Sequence, residues 1–280
     1  MSAVLEVRDL TKIYPSFTLD HIGFGLAEGR ITGFIGRNGA GKTTTLHSLL
    51  GFLSPDAGEI RFWGQDIREH ALEIKQRVGF VSAGMNFYNR KKLRTITEIT
   101  RSFYARWDED VYRRYLTLFD LEEEKTPEKL SNGMKIKYML SLALSHGADL
   151  LILDEPTSGL DPVSREELLE ILLDLRDKGK TILFSTHITS DLDKCADDII
   201  YISGGKLRAM SSLDEFIDSY RLAEYAGDEP SPEEAALLSG RRRTRNGFTA
   251  LVKAGDADRL SVGVRPVNLE EIMVHLEKED

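Results

Sequence analysis

At 280 residues the chain has room for one large domain, or for a medium domain with a small appendage. Its 41% hydrophobic and 30% charged residues are those of a soluble globular protein, and no apolar run nears the roughly 20 residues needed to cross a bilayer. A net charge of −9 argues against nucleic acid as a partner, because neutralising phosphates takes clustered Lys and Arg.

The opening MSAVLEVRDLTK sets acids among its apolar residues and lacks the apolar core of a signal peptide. VLEVRDL (Val4 to Leu10) alternates as a half-exposed strand, and Phe17 to Gly36 holds two more strands around a Glu28-Gly29 turn. A glycine-rich loop follows, then KTTTLHSLLGF, a helix expected to end near Gly51; GEIRFWGQDI (Gly58 to Ile67) reads as a strand and turn. From about Asn86 to His146 the strand signal gives way to Arg, Lys, Glu and Tyr at helical spacing. DLLILDEP and KTILFSTH are short, continuous apolar runs, and SREELLEILLDLRDKGK between them has the period of a helix closing at Gly179. Strand, helix, strand with fully apolar strands predicts a buried, mostly parallel sheet. The single cysteine, Cys195, forms no internal disulfide; it reads as a small apolar filler in a protein of the reducing cytosol.

Beyond Tyr220 the composition changes. AGDEPSPEE reads as an acidic linker, GRRRTRNGFTALVKAG as a hairpin turning at Asn246-Gly247, and Asn268 as the N-cap of an amphipathic terminal helix. A small α+β appendage is therefore expected over 219–280, behind a main domain over 1–218 whose 84–146 segment is helical.

GRNGAGKTT, Gly36 to Thr44, fits the phosphate-loop pattern G-x-x-x-x-G-K-[ST]. Backbone N–H groups converge on phosphate oxygens most easily where glycines leave the approach open, and a helix N-terminus behind them adds its dipole. Asn38, Gly39, Ala40, Gly41, Lys42, Thr43 and Thr44 are the expected nucleotide-binding residues, Lys42 reaching the β and γ phosphates and Thr43 offering a hydroxyl to Mg²⁺. LLILDEP ends a buried strand in Asp154, a carboxylate for the water shell of Mg²⁺, with Glu155 beside it as a general base for the attacking water. Alone, such an acidic pair equally marks a plain strand end; beside a phosphate loop it reads as chemistry. LSNGM (Leu130 to Met134) opens another helix, so Ser131, Asn132 and Gly133 form a second anion site. Two such sites serve one nucleotide if two chains pair head to tail.

Over roughly residues 4 to 218, in motif order, the chain resembles the ATP-binding subunits of ATP-binding cassette (ABC) transporters. The resemblance implies a P-loop NTPase core with a mostly parallel sheet, an antiparallel β subdomain and a helical subdomain. LSNGM stands where the family has Leu-Ser-Gly-Gly-Gln. SGLD, ending in Asp161, matches the loop crossing the dimer interface, His187 the switch histidine that senses the γ-phosphate, and Tyr14 the aromatic stacked on adenine. Lys42, Glu155 and His187 would then be catalytic, with ATP and Mg²⁺ as cofactors. A second ATPase subunit and an integral membrane permease would be the partners, without a covalent membrane anchor, placing the chain in the cytoplasm at the inner face of the membrane. LSNGMKIKYMLSLALSHGADLLILDEPTSGLDPVSREEL and the terminal NLEEIMVHL resemble more narrowly the ATPases of ABC-2 type exporters acting on bacitracin-like antibiotics or phenol-soluble modulins. Peptides, antibiotics or amphipathic molecules are the implied cargo.

The sequence departs from the family in Asn132 and Met134 of the signature, and in Ala83 where the family has a glutamine touching Mg²⁺ and water. Slow or partner-dependent hydrolysis is the expectation. The basic runs NRKKLR (Asn89 to Arg94) and GRRRTR each read as a solvated surface or as a face toward a membrane partner or anionic lipid. A soluble ABC ATPase without transport, or a regulatory module with weak hydrolysis, are the alternatives in function.

Overall fold

The computed structural model describes residues 3–82, 88–227 and 229–277. Strands β1 (Ala3–Tyr14) and β2 (Phe17–Ala27) make an antiparallel pair, and the turn at Glu28-Gly29 leads into β3 (Ile31–Ile35). Then come α1 (Lys42–Leu49), β4 (Ala57–Phe62), β5 (Gln65–Asp66), α2 (Ile67–Lys75) and β6 (Val78–Ser82). Three helices follow as expected: α3 (Leu93–Arg101), α4 (Glu109–Leu118) and α5 (Asn132–Ser145). The chain continues through β7 (Leu150–Asp154), α6 (Pro162–Asp177), β8 (Thr181–Thr186), α7 (Thr189–Cys195), β9 (Asp198–Ser203), β10 (Lys206–Ser212) and α8 (Leu213–Asp218). Last are β11 (Tyr220–Tyr225), α9 (Pro232–Ala235), β12 (Leu238–Arg243), β13 (Phe248–Lys253), β14 (Val264–Arg265) and α10 (Leu269–Leu276).

These strands form three sheets. The central one runs β10-β9-β3-β8-β7-β6, parallel except for the β10 edge. Its inner strands are apolar on both faces because both faces are covered. Along β7, Leu151 and Leu153 enter a core shared with α5 and α6, while Leu150 and Ile152 enter a second core under the β2-β1-β4-β5 sheet. This is the period-two alternation of a strand read from two sides.

The third sheet, β12-β13-β11-β14, is antiparallel. Leu222 and Leu251 on one face join the main core together with Leu269, Ile272 and Met273 of α10. Ala223, Tyr225, Phe248 and Ala250 on the other face make a small core of their own. The hairpin turns where expected, Arg243 pairing with Phe248 and the Thr244 N–H donating to the Gly247 carbonyl. Asn268 caps α10 in a reciprocal box with Glu271. The stretch read as a linker also carries structure: Ser231 and Glu234 form a capping box that starts α9.

Within the helical part, Thr97 ties three helices together. Its hydroxyl lies 2.7 Å from the Tyr112 hydroxyl and 2.8 Å from that of Tyr138, which donates to the Leu93 carbonyl. Burial pushes both tyrosine hydroxyls up, so they stay protonated hydrogen-bonding groups. Cys195 is buried, its thiol pushed up to about 12 by burial, which makes it the inert filler the sequence implied.

Candidate nucleotide site

The phosphate loop runs from the end of β3 into α1. Gly41, the N-cap of α1, has φ 111°, and a Cβ there would also meet the Leu19 and Phe17 side chains, so the turn into the helix needs glycine. Lys42 follows, only 5% exposed; its Nζ donates to the Gly36 carbonyl at 2.7 Å and lies 3.3 Å from Glu155 Oε1.

The opposite wall comes from the neighbouring parallel strands. Asp154 ends β7, where Oδ1 accepts from Ser185 Oγ at 2.7 Å and Oδ2 from Thr43 Oγ1 at 3.3 Å. Glu155 then turns sharply into the left-handed region, φ 50°, its N–H donating to the Ser185 carbonyl at 3.0 Å. Non-glycine residues avoid this conformation, and it persists where surrounding bonds over-determine it. The turn brings Glu155 Oε2 to 2.7 Å from His187 Nδ1, just beyond β8.

A cavity of about 830 Å³ opens between these walls, lined by Lys42, Thr43, Glu155 and His187 with Tyr14 at one end. Asn38, Gly39, Gly41 and Thr44 also line it, whereas Ala40 is buried behind the loop, its carbonyl accepting from the Gly205 N–H. Ser131, Asn132, Gly133 and Asp161 do not line it. Ser131 caps α5 by accepting from the Met134 N–H, and Asp161 caps α6 by accepting from the Val163 and Ser164 N–H groups. Hydrogen bonds from Ser164 hold the Asp161 carboxyl below its usual range. The two caps adjoin, since a Cβ on Gly133 would sit 3.4 Å from Ser164 Cβ.

Ser185 and Arg37 are among the residues of the site that the sequence had not offered. Ser185 holds Asp154 at the end of β7 and the N–H of Glu155 just after it, and its signal was its place two residues before His187 in FSTH. Arg37, the variable position after the first glycine of the loop, lines the cavity too.

A separate apolar groove of about 340 Å³ lies on the helical part, with Tyr88, Ile99 and Phe103 exposed along it. At its floor His146 stacks on Tyr104, ring centroids 3.8 Å apart, and burial pushes the imidazole down to about 4. Ala83 lies outside the described residues; Ser82 before it ends β6 opposite Asp154 in the sheet register. The run NRKKLR is largely neutralised: Lys92 and Arg94 pair with Glu124, and Arg90 with Glu128.

A family profile described as "ABC transporter" matches residues 19–158. The bacitracin transport ATP-binding protein BcrA of Bacillus licheniformis is 36% identical over 211 residues, covering 74% of this chain and 69% of that protein. The chain belongs to the ABC transporter family. The Nod factor export ATP-binding protein I of Cupriavidus metallidurans is 30% identical over 296 residues, covering 99% of this chain and 98% of that one. A solved ATP-binding subunit of an ABC transporter superposes with a TM-score of 0.69 at 29% identity, over 76% of this chain and 91% of its own. Like its family, this ABC ATPase binds and hydrolyses ATP to drive a membrane transporter. Among the described residues no helix is long and apolar enough to cross a membrane.

Proposed function

We propose that two ATPase subunits close head to tail on two ATP molecules and drive a separate membrane permease that exports peptides, antibiotics or amphipathic molecules. The observation that carries this is a division within the chain. Lys42, Thr43, Glu155 and His187 share one cavity, while the exposed signature turn at Ser131 lies outside it. A turn built to bind an anion, and left out of its own chain's site, supports completion of the site of another subunit. That subunit is an identical copy or a related ATPase.

On this reading Lys42 exchanges its bonds to the loop carbonyls for phosphate oxygens, and Tyr14 stacks on adenine. Glu155 takes the proton of the attacking water, oriented by His187 at 2.7 Å. Asn132, Gly133 and Asp161 shape the edge presented to the partner. No cluster of three or more His, Cys, Asp or Glu that could hold a metal occurs among the described residues. One hydroxyl and one carboxylate, Thr43 and Asp154, nevertheless suit Mg²⁺, which keeps several waters and takes phosphate oxygens. When bound, the ion neutralises phosphate charge; Thr43 and Asp154 would hold it.

Residues 1–218 form the cassette, 84–146 its helical subdomain, and 219–280 the C-terminal domain. The permease docks in the apolar groove of Tyr88, Ile99 and Phe103, which holds the ATPase at the inner face of the cell membrane. The relatives named for bacitracin transport and Nod factor export support an export role. The test is ATP turnover with and without the permease, for wild type and Glu155→Gln. The variant should keep ATP binding and lose on the order of a hundredfold or more in turnover. Wild-type protein without turnover even with its permease and high Mg²⁺ would make the chain a regulatory module instead.

A further inference from the structure

Beside the nucleotide cavity lies a second one, of about 540 Å³, between the main domain and the C-terminal sheet. We propose that it is a binding site for a small, singly charged amphipathic carboxylate. Its volume falls in the range of pockets that enclose small organic ligands.

Arg242 sets the charge of the ligand. This residue comes from β12 and lines the cavity; its Nε is buried and has no hydrogen-bond partner. No ion pair involves Arg242 among the described residues, whereas the half-buried Arg30, Arg77 and Arg176 each face a carboxylate. A guanidinium Nε–H withdrawn from water without an acceptor is costly, and a planar carboxylate is the acceptor that matches the half-buried fork.

The walls define the rest. Ile35, Ile188, Met273 and Val274 give the cavity an apolar surface suited to a short hydrocarbon body. Two acids also line it. Glu277 accepts from the Tyr201 hydroxyl at 3.3 Å and lies 3.9 Å from Arg37, while Glu270 is exposed. These carboxylates disfavour a polyanion such as a nucleotide, and with Glu277 near Arg37 and Glu270 open to solvent, Arg242 is the cation left to face a single negative charge.

The site borders the nucleotide cavity, because Arg37 and His187 line both. The experiment therefore begins with the full chain saturated with ADP, and octanoate, octanamide and acetate are titrated in by calorimetry. Octanoate should bind, the neutral octanamide at least tenfold more weakly, and acetate not detectably. Arg242→Gln should weaken octanoate at least tenfold while leaving ADP affinity unchanged, and Arg242→Lys should recover part of the loss. Four results would overturn the proposal: no octanoate binding at millimolar concentration, binding abolished by ADP, equal affinity for octanamide, or equal affinity in Arg242→Gln. The octanamide comparison uses wild-type protein alone, so it decides the matter even if the glutamine variant folds poorly.

Discussion

His146 makes the stability of the helical part depend on pH in a calculable way. Its imidazole is 3% exposed, stacked on Tyr104, with Nδ1 3.3 Å from the Gln76 carbonyl; burial is the first cause of its lowered pKa, and the Lys180 and Arg106 charges lower it further. The group titrates near 6.5 when unfolded and at about 4 in the fold. Between those values the unfolded chain binds the extra proton, so stability is fully present above pH 6.5 and falls as pH drops toward 4. Between about pH 8 and about pH 5 the expected loss is about 2 kcal/mol from this residue. Urea denaturation at the two pH values should show it as a midpoint shift of roughly 0.5–1 M. His275, which burial also pushes down, adds to the slope, so the measurement is made against His146→Phe, which keeps an aromatic ring beside Tyr104. That variant should lose about 2 kcal/mol of the wild-type pH dependence. An unchanged slope in His146→Phe would refute the reasoning.

Three further outcomes are expected. Thr97→Val removes the hydroxyl shared by Tyr112 and Tyr138 and should cost about 1–3 kcal/mol, read as a lower thermal midpoint with ATP affinity of the folded protein unchanged. Ser131→Ala loses the cap of α5, about 1 kcal/mol, and should lower turnover while leaving the nucleotide affinity of a single chain intact; loss of that affinity would place Ser131 in its own chain's site. Ala83→Gln should raise basal ATP turnover, and a fall or no change would count against a missing metal and water contact at that position.

The parallel sheet was legible because β3, β7 and β8 are buried on both faces, which leaves unbroken apolar runs in the sequence. Helix α2 was not, since only Ile67 and Ile74 of its nine residues are buried and Leu72 is 83% exposed, which blurs the helical period. AGDEPSPEE looked like a linker because its Pro and acids masked the Ser231-to-Glu234 capping box. In the site, Lys42 and Glu155 announced themselves through fixed spacings around them. Ser185 and Arg242 did not, because their roles arise from which strands lie side by side, and no local spacing records that. The φ of Glu155 was equally hidden: left-handed backbone at a glutamate follows from the bonds around it, not from its residue type.

Helix α10 gives the order of synthesis a consequence for assembly. Leu269, Ile272 and Met273 close the same core as Leu192 and Tyr201, and Glu277 reaches the hydroxyl of Tyr201 and the vicinity of Arg37. Domains tend to fold as they leave the ribosome, N-terminal parts first. Here the phosphate loop is made early and the core under α1, with Leu46 and Leu49, closes without α10, whereas the core around Leu192 and Tyr201 stays incomplete until the segment from residue 269 has emerged. A nascent cassette therefore exposes apolar surface beside α7 and β9 until α10 is made and covers it.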